Sequence, residues 1–394
     1  MSAAVIKEIA GCLQRKQSDR LAQILSASFD VTVNETDVAL TGQCQAAFTG
    51  GLQAFAKVVA ALFKSKRHAQ NGRFQQAYDE HIAGYTDFLD IYREETNWIM
   101  PVLHTLVYDA RMLAQKADLE ISAERGNPVQ DTLRNAEQNI KRAFSMSSND
   151  RASPELSKKP GTLYVVNQLF KIYFQLNTIP LCRNLIRAID LMDFNRFEKR
   201  DQVTYMFYVG RINMFEDNYS KAETCLMYAW QHCHKQYSRN KRMILQFLVP
   251  IKLSSGTMPS PQLLDDYALD EYKGIAESIR VGNVYLFNQS MAQYQDKFIQ
   301  RGVYLLMEKL KPFVMRNLFK KVYLVRDKHN HVKLRDLQNA IAYLNMSEID
   351  MDALECLLAN LIFKNYIKGY ISHRLKVLVL SKVTPFPPIT DVKN

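Results

Sequence analysis

The residues best suited to chemistry are cations near the C-terminus: Arg316, Lys320, Lys321, Arg326, Lys328, Lys333, Arg335, Lys364, Lys368, Arg374 and Lys376, with His373 among them. Side chains of this kind can meet phosphate oxygens, and such contacts position a protein on nucleic acid without reading its sequence. Arg316 and Lys320 are four apart and share a helix face, with Lys321 beside them. Lys364 falls where a helix ends, where a cation also suits the helix dipole. Lys368, His373, Arg374 and Lys376 fall on or beside a hairpin. From Lys311 to Lys382 there are 13 Lys/Arg against 6 Asp/Glu, a net +7 within a chain total of +11. That local excess implies an acidic partner, whether nucleic acid, protein or anionic surface. A solvated face carries the same charge. No residue stands out as a reader of base edges. The candidate nucleic-acid set is therefore Arg316, Lys320, Lys321, Lys333, Lys364, Lys368, His373, Arg374 and Lys376, with a purely protein-binding surface as the competing reading.

A second basic group, Lys235, Arg239, Lys241 and Arg242, falls between helices. It reads either as a solvated interhelical loop or as a landing site for an acidic partner segment. Catalytic and metal chemistry find little support. His232-Cys233-His234 is the only tight His/Cys cluster, and neighbouring residues on a helix point about 100° apart, so the three cannot converge on one metal without two more ligands from elsewhere. Two surface histidines flanking a buried cysteine is the simpler account. His329 and His331 flank a turn. The chain has no Gly-rich phosphate loop, no Gly-x-Ser-x-Gly and no His-Glu-x-x-His. The expectation is a non-enzyme without cofactors or metal.

The cations must be positioned by the segment 311–382, which reads helix, short strand, helix, helix, hairpin. Ser347 and Asp350 precede a helical stripe of Leu354, Leu357, Leu358, Leu361 and Ile362. The period then changes to two strands, Tyr366–Ser372 and Lys376–Leu380, joined at Ser372-His373-Arg374-Leu375. This order suggests a winged helix, whose third helix and wing can lie against phosphates.

Upstream the pattern is helical throughout. A helix over 3–26 is followed by a loop around Asp30, Asn34, Thr36 and Asp37. Stripes at Leu52, Phe55, Val58, Val59, Leu62 and at Phe74, Tyr78, Ile82, Tyr85, Phe88 give a first pair. Helices over Asn97–Lys116 and 131–145 follow. Residues 146–160 are polar and read as an exposed, mobile loop. Leu163–Phe174 and Leu181–Asp190 resume the pattern. Gly210, Ala222, Leu226 and Ala229 have the spacing of a tetratricopeptide-type hairpin, with small residues allowing close approach and Leu226 filling the gap. Short helices over 241–253, 261–267, 270–279, 283–288 and 291–300 continue it. The expected fold is mostly α: a solenoid of such hairpins capped by a C-terminal winged helix. The division is 1–160 helical repeats, 161–310 further repeats, 311–382 winged helix and 383–394 tail.

A chain of 394 residues, 47% hydrophobic and 23% charged, is ordinary for a soluble protein. No apolar run approaches the roughly 20 residues of a membrane span, so no membrane insertion is expected. Met1 to Leu13 lacks the apolar core and cleavage site of a signal peptide. The six cysteines, Cys12, Cys44, Cys182, Cys225, Cys233 and Cys356, are scattered, which suits reduced thiols in cytosol or nucleus.

Helical hairpins running into a winged helix are the plan of the PCI domain, and Ile367-Lys368-Gly369-Tyr370-Ile371 followed by Val377-Leu378-Val379 resembles its wing. The stretches 166–174, 185–190, 240–245, 316–324 and 358–362, with Lys368–His373 and Pro385-Phe386-Pro387-Pro388, are similar to the PCI subunit of the TREX-2 mRNA-export complex. The same branch includes the signalosome-associated subunit twelve. The resemblance covers 160–390 strongly and is general before residue 150. It implies a non-enzymatic scaffold beside a large PCI-like subunit of the GANP/Sac-three type. It also implies a small acidic subunit of the DSS-one/Sem-one type along the helical region, and RNA or DNA bound without strong sequence specificity by paired winged helices. The implied location is the nucleus at the nuclear pore, with the cytoplasm as a second compartment. A signalosome- or proteasome-lid-like scaffold with no nucleic-acid role is the alternative.

Overall fold

The computed structural model describes residues 2–344 and 349–392; Ser347, expected at a helix start, lies outside them. The described chain is mostly α-helical with one small sheet near the C-terminus, and it divides into two compact units, Met1–Tyr205 and Met206–Asn394.

The first unit holds α1 (Ser2–Gln14), α2 (Ser18–Leu25), α3 (Asp37–Ala47), α4 (Gln53–Gln70), α5 (Phe74–Glu94), α6 (Met100–Arg125), α7 (Asp131–Ser148), α8 (Thr162–Gln175) and α9 (Cys182–Asp190). The single helix expected over 3–26 is two, because Lys16 takes a left-handed φ of 52° and turns the chain. The polar run after it ends in a helix start: Thr36 Oγ1 accepts a hydrogen bond from the Ala39 amide at 3.4 Å, satisfying an N-terminal N–H of α3. From α4 to α8, each helix packs on the next. Val58, Leu62, Tyr85, Phe88, Leu103, Ile140, Val166 and Phe170 are buried between them. Helix α6 runs past its expected end at Lys116, carrying Ala117 and Ile121 into the core.

The loop expected to be mobile is tied down. Residues 149–158 join α7 to the short 3-10 turn before α8, and Ser157 and Lys158 are buried. Lys158 Nζ donates to the carbonyls of Tyr92 (2.7 Å), Arg93 (3.1 Å) and Glu95 (2.9 Å). The last carbonyls of α5 have no intrahelical partner, and one ammonium offers three donors and a charge of the right sign. The same device closes α2, whose Ile24 carbonyl accepts from buried Lys66 Nζ at 2.7 Å.

Helix α10 (Lys199–Phe215) crosses the division between the units. The second unit continues with α11 (Tyr219–His232), α12 (Ser238–Ser254), α13 (Pro261–Asp266), α14 (Asp270–Val281), α15 (Val284–Gln293), α16 (Gln295–Arg301) and α17 (Tyr304–Glu308). The α10–α11 pair follows its sequence spacing. Ala222, Leu226 and Ala229 are fully buried, and a Cβ at Gly210 would stand 2.7 Å from Leu226 Cγ.

The chain then forms α18 (Lys311–Val325), β1 (His331–Lys333), α19 (Leu334–Tyr343), α20 (Met351–Phe363), β2 (Gly369–Ser372) and β3 (Val377–Leu380). The strands make one antiparallel sheet in the order β1-β3-β2, with His331 and Tyr370 both opposite Val379. The short strand before α19 thus joins the expected hairpin as a third strand. Val332, Leu378 and Leu380 point inward and are buried with Leu337 and Ile341 of α19 and Leu354, Leu358 and Leu361 of α20. Asp350 caps α20 through the Ala353 amide at 2.7 Å. This is the winged helix.

Residues 383–392 pack onto the same unit. The Pro385 carbonyl accepts from the Lys368 amide at 2.8 Å, and Phe386 lies 5.7 Å from the Tyr323 ring. Ile389 covers Gly256, where a Cβ would come within 2.8 Å of it.

Candidate nucleic-acid interface

The structure sorts the predicted cations into three kinds. Arg316 is a correction. It is 5% exposed, and its guanidinium donates to the Tyr366 carbonyl (3.2 Å), to Asn317 Oδ1 (2.6 Å) and to the Pro387 carbonyl. Burial lowers its pKa. Arg316 ties α18 to the α20–β2 connection and to the C-terminal segment. The sequence signal existed: Arg316 sits among Phe313, Val314, Met315, Leu318 and Phe319 on the buried side of α18.

Lys376 and His373 are the second kind, exposed enough to act but already paired. Lys376 Nζ lies 2.9 Å from Glu355 Oε1, and His373 Nδ1 lies 2.6 Å from Glu355 Oε2. Hydrogen bonds from Lys376 and from His373 hold the Glu355 carboxyl below its usual range. Glu355 stands on α20 one residue after buried Leu354, and it offsets part of the wing's positive charge. The sequence reading missed it, because its pairing with residues 18 and 21 positions later depends on where the hairpin folds back. Arg326 is similarly paired with Asp336.

Third come the exposed cations: Lys320 and Lys321 on α18, Lys333 at the end of β1, Lys364 at the C-terminus of α20, Lys368 before β2, and Arg374 in the wing turn. Lys333 pairs with Val377 in the sheet, and the Lys376 carbonyl accepts from the Leu334 amide at 2.9 Å. These contacts bring Lys333 to the wing with Arg374 and Lys376. Lys364 and Lys368 bracket the α20–β2 connection, which Asn365 turns with a φ of 58°.

The second basic group does not hold together as a surface. Lys241 is buried, its Nζ donating to the Trp230 carbonyl at 3.1 Å and standing 4.1 Å from the centre of the Trp230 ring. It serves the C-terminal end of α11 as Lys66 and Lys158 serve α2 and α5. Arg239, Lys241 and Arg242 lie in the first turns of α12 and not in a loop between helices. Arg242 donates to the Ala268 carbonyl at 3.0 Å; Lys235 and Arg239 remain exposed.

His232 Nδ1 lies 2.9 Å from the Tyr228 carbonyl, Cys233 is buried and His234 is exposed. Among the described residues no three His, Cys, Asp or Glu side chains form a metal-binding group, and no helix is long and apolar enough to cross a membrane. Cys12, Cys44, Cys182 and Cys233 are buried and Cys356 is exposed.

Sequence comparison places this architecture. Residues 291–382 match the PCI domain family. A Xenopus laevis protein, PCI domain-containing protein 2, is 38% identical over 340 residues, covering 85% of this chain and 85% of its own. The chain belongs to the PCI domain-containing protein 2 family. Two further relatives of this PCI protein carry other names. Enhanced ethylene response protein 5 of Arabidopsis thaliana is 37% identical over 85% of this chain and 81% of its own. Protein CSN12 homolog of Neurospora crassa is 32% identical over 74% and 72%. PCI-domain proteins of this kind are scaffold subunits of multisubunit complexes.

Proposed function

We propose that this PCI protein is the adaptor subunit of a TREX-2-type complex that couples transcription to nuclear mRNA export. It packs beside a large PCI-like scaffold subunit, carries a small acidic subunit and contacts RNA or DNA through its winged helix, in the nucleus at the pore. The observation that supports this reading is the exposed set Lys333, Lys364, Lys368 and Arg374 on a winged helix that follows helical repeats. Cations of that exposure suit phosphates, and binding through them releases counterions and depends on salt. Lys320 and Lys321 extend the set along α18, while His373 and Lys376 contribute in proportion to their release from Glu355. Of the second basic group, Lys235, Arg239 and Arg242 are accessible to an acidic segment.

The test replaces Lys364, Lys368 and Arg374 by Glu and measures nucleic-acid binding by the complex assembled with its scaffold and acidic subunits. Affinity should fall, and the salt dependence should flatten by about 0.7–0.9 for each phosphate that is no longer neutralised. Unchanged affinity with an intact fold removes the nucleic-acid role from these residues. The relative named Protein CSN12 homolog supports a second reading, a scaffold in a signalosome-like assembly with no nucleic-acid role. Co-purification that returns such an assembly in place of the export scaffold would favour it.

A further inference from the structure

The inner side of the winged-helix sheet is buried, and its outer side is open. Leu378 and Leu380 point into the core, so Val377 and Val379 point outward, and their neighbours in register share that side. One row across the three strands is His331, Val379, Tyr370; the next is Lys333, Val377, Ser372. Tyr370 is 63% exposed, and His331 and Lys333 are exposed. Lys368, two residues before Tyr370, alternates onto the same side, and its backbone carbonyl accepts from the Ser381 amide at 2.8 Å. His329 adds a second imidazole at the β1 edge, 6.0 Å from His331. No carboxylate occupies either row.

We propose that this outer sheet face is a stacking site for single-stranded nucleic acid. The inference rests on the nucleic-acid reading above and names the form of nucleic acid bound. Aromatic rings on an open sheet face accept unpaired bases of any identity, because every base presents a π-face. Adjacent strands lie about 4.8 Å apart, so the Tyr370 and His331 positions, two strands apart, are separated by about 10 Å. Val377 and Val379 between them give a flat apolar floor. Lys333 and Lys368 stand at opposite corners, where they can meet the backbone of a strand crossing the sheet. A duplex keeps its bases stacked inside and gains nothing from Tyr370. The aromatic residue on this face therefore points to single strands, and the absence of carboxylates removes the repulsion a phosphate chain would otherwise meet.

The experiment uses the full chain and a fluorescent oligouridine, compared with a duplex RNA of the same length at one salt concentration. Tyr370→Ala should weaken oligouridine binding about 10-fold. It should leave duplex binding and the salt slope unchanged, since stacking releases no counterions. Tyr370→Phe should restore binding. Lys333→Glu with Lys368→Glu should instead lower the salt slope. Three results overturn the proposal: equal oligouridine affinity in wild type and Tyr370→Ala, tighter binding of the duplex, or loss of self-association in Tyr370→Ala with RNA affinity intact, which makes the face a protein interface. In the first case, a loss on Lys364→Glu and Arg374→Glu still upholds the phosphate-binding reading. Failure of the wild-type chain to bind either RNA, alone or in its assembled complex, removes both.

Discussion

Lys376 and Glu355 meet at 2.9 Å, across the gap between the wing turn and α20. The same carboxylate lies 2.6 Å from His373. One acidic side chain therefore holds Lys376, a cation of the wing, and engages the His373 ring beside it. Glu355→Gln should free Lys376, remove a negative charge from the wing and tighten nucleic-acid binding about 2- to 5-fold at low salt, with the gain vanishing as salt screens it. Titration of the variant complex against RNA at two salt concentrations checks this. An unchanged affinity at low salt would mean that the wing turn does not approach the phosphates.

Lys158 closes the C-terminal end of α5 with three hydrogen bonds. Lys158→Met keeps much of the volume and removes all three, which should cost about 2–4 kcal/mol in urea denaturation. The release should be local as well. Trypsin should cut at Arg151, in the same connection, faster in the variant than in wild type, because cleavage follows the population of the opened loop. A loss below about 0.5 kcal/mol with unchanged cleavage would show that the loop is held by other contacts.

Gly210→Ala places a methyl group 2.7 Å from Leu226 Cγ. Backbone and side chain must separate, and overpacking of this kind costs about 1–3 kcal/mol. Adding Leu226→Ala should recover part of that loss. The coupling between the two substitutions should then be at least about 0.5 kcal/mol in a double-mutant cycle. Strictly additive losses would place the strain elsewhere.

Lys66 gives a pH dependence with a definite sign. Burial pushes its pKa down to about 8, against a partial opposing effect from Asp109. Between about pH 8 and the ordinary lysine pKa of about 10.4, the unfolded chain holds a proton that the folded chain has released. The unfolded state then binds more protons, so this group makes stability rise with pH across that window. Buried Cys44 and Cys182, with pKa values raised to about 11 and about 12, work in the opposite direction above pH 9. The contribution of Lys66 is therefore read as a difference. The stability gap between wild type and Lys66→Met should shift in favour of wild type as pH rises from 8 to 10. A constant gap would mean that Lys66 stays protonated in the folded chain.

The sequence by itself determined what depends on near neighbours along the chain. Apolar residues at helical spacing located most of the helices, because a stripe at Val58, Leu62 or Leu354, Leu358, Leu361 can be buried in only one periodic form. The change to period two after Tyr366 located the hairpin, and the small residues at Gly210 and Ala222 located a close helix crossing. The stretches shared with PCI proteins carried the family. What only the tertiary structure decided was the state of each charge. Lys158 and Lys241 look in sequence like any surface cation, yet each is buried against backbone carbonyls at the end of a helix. Glu355 looks like a solvated helix residue, yet it pairs with Lys376 and His373 of the wing. A long side chain costs little to aim at a distant partner, and that partner is chosen by which helix end or turn the fold brings within a few ångströms. Local periodicity holds no record of that choice. The same is true of the outer sheet face. Alternation alone says that Tyr370 and Ile371 point to opposite sides, but the register of β1, β3 and β2 is what sets Tyr370, Val379 and His331 in one row.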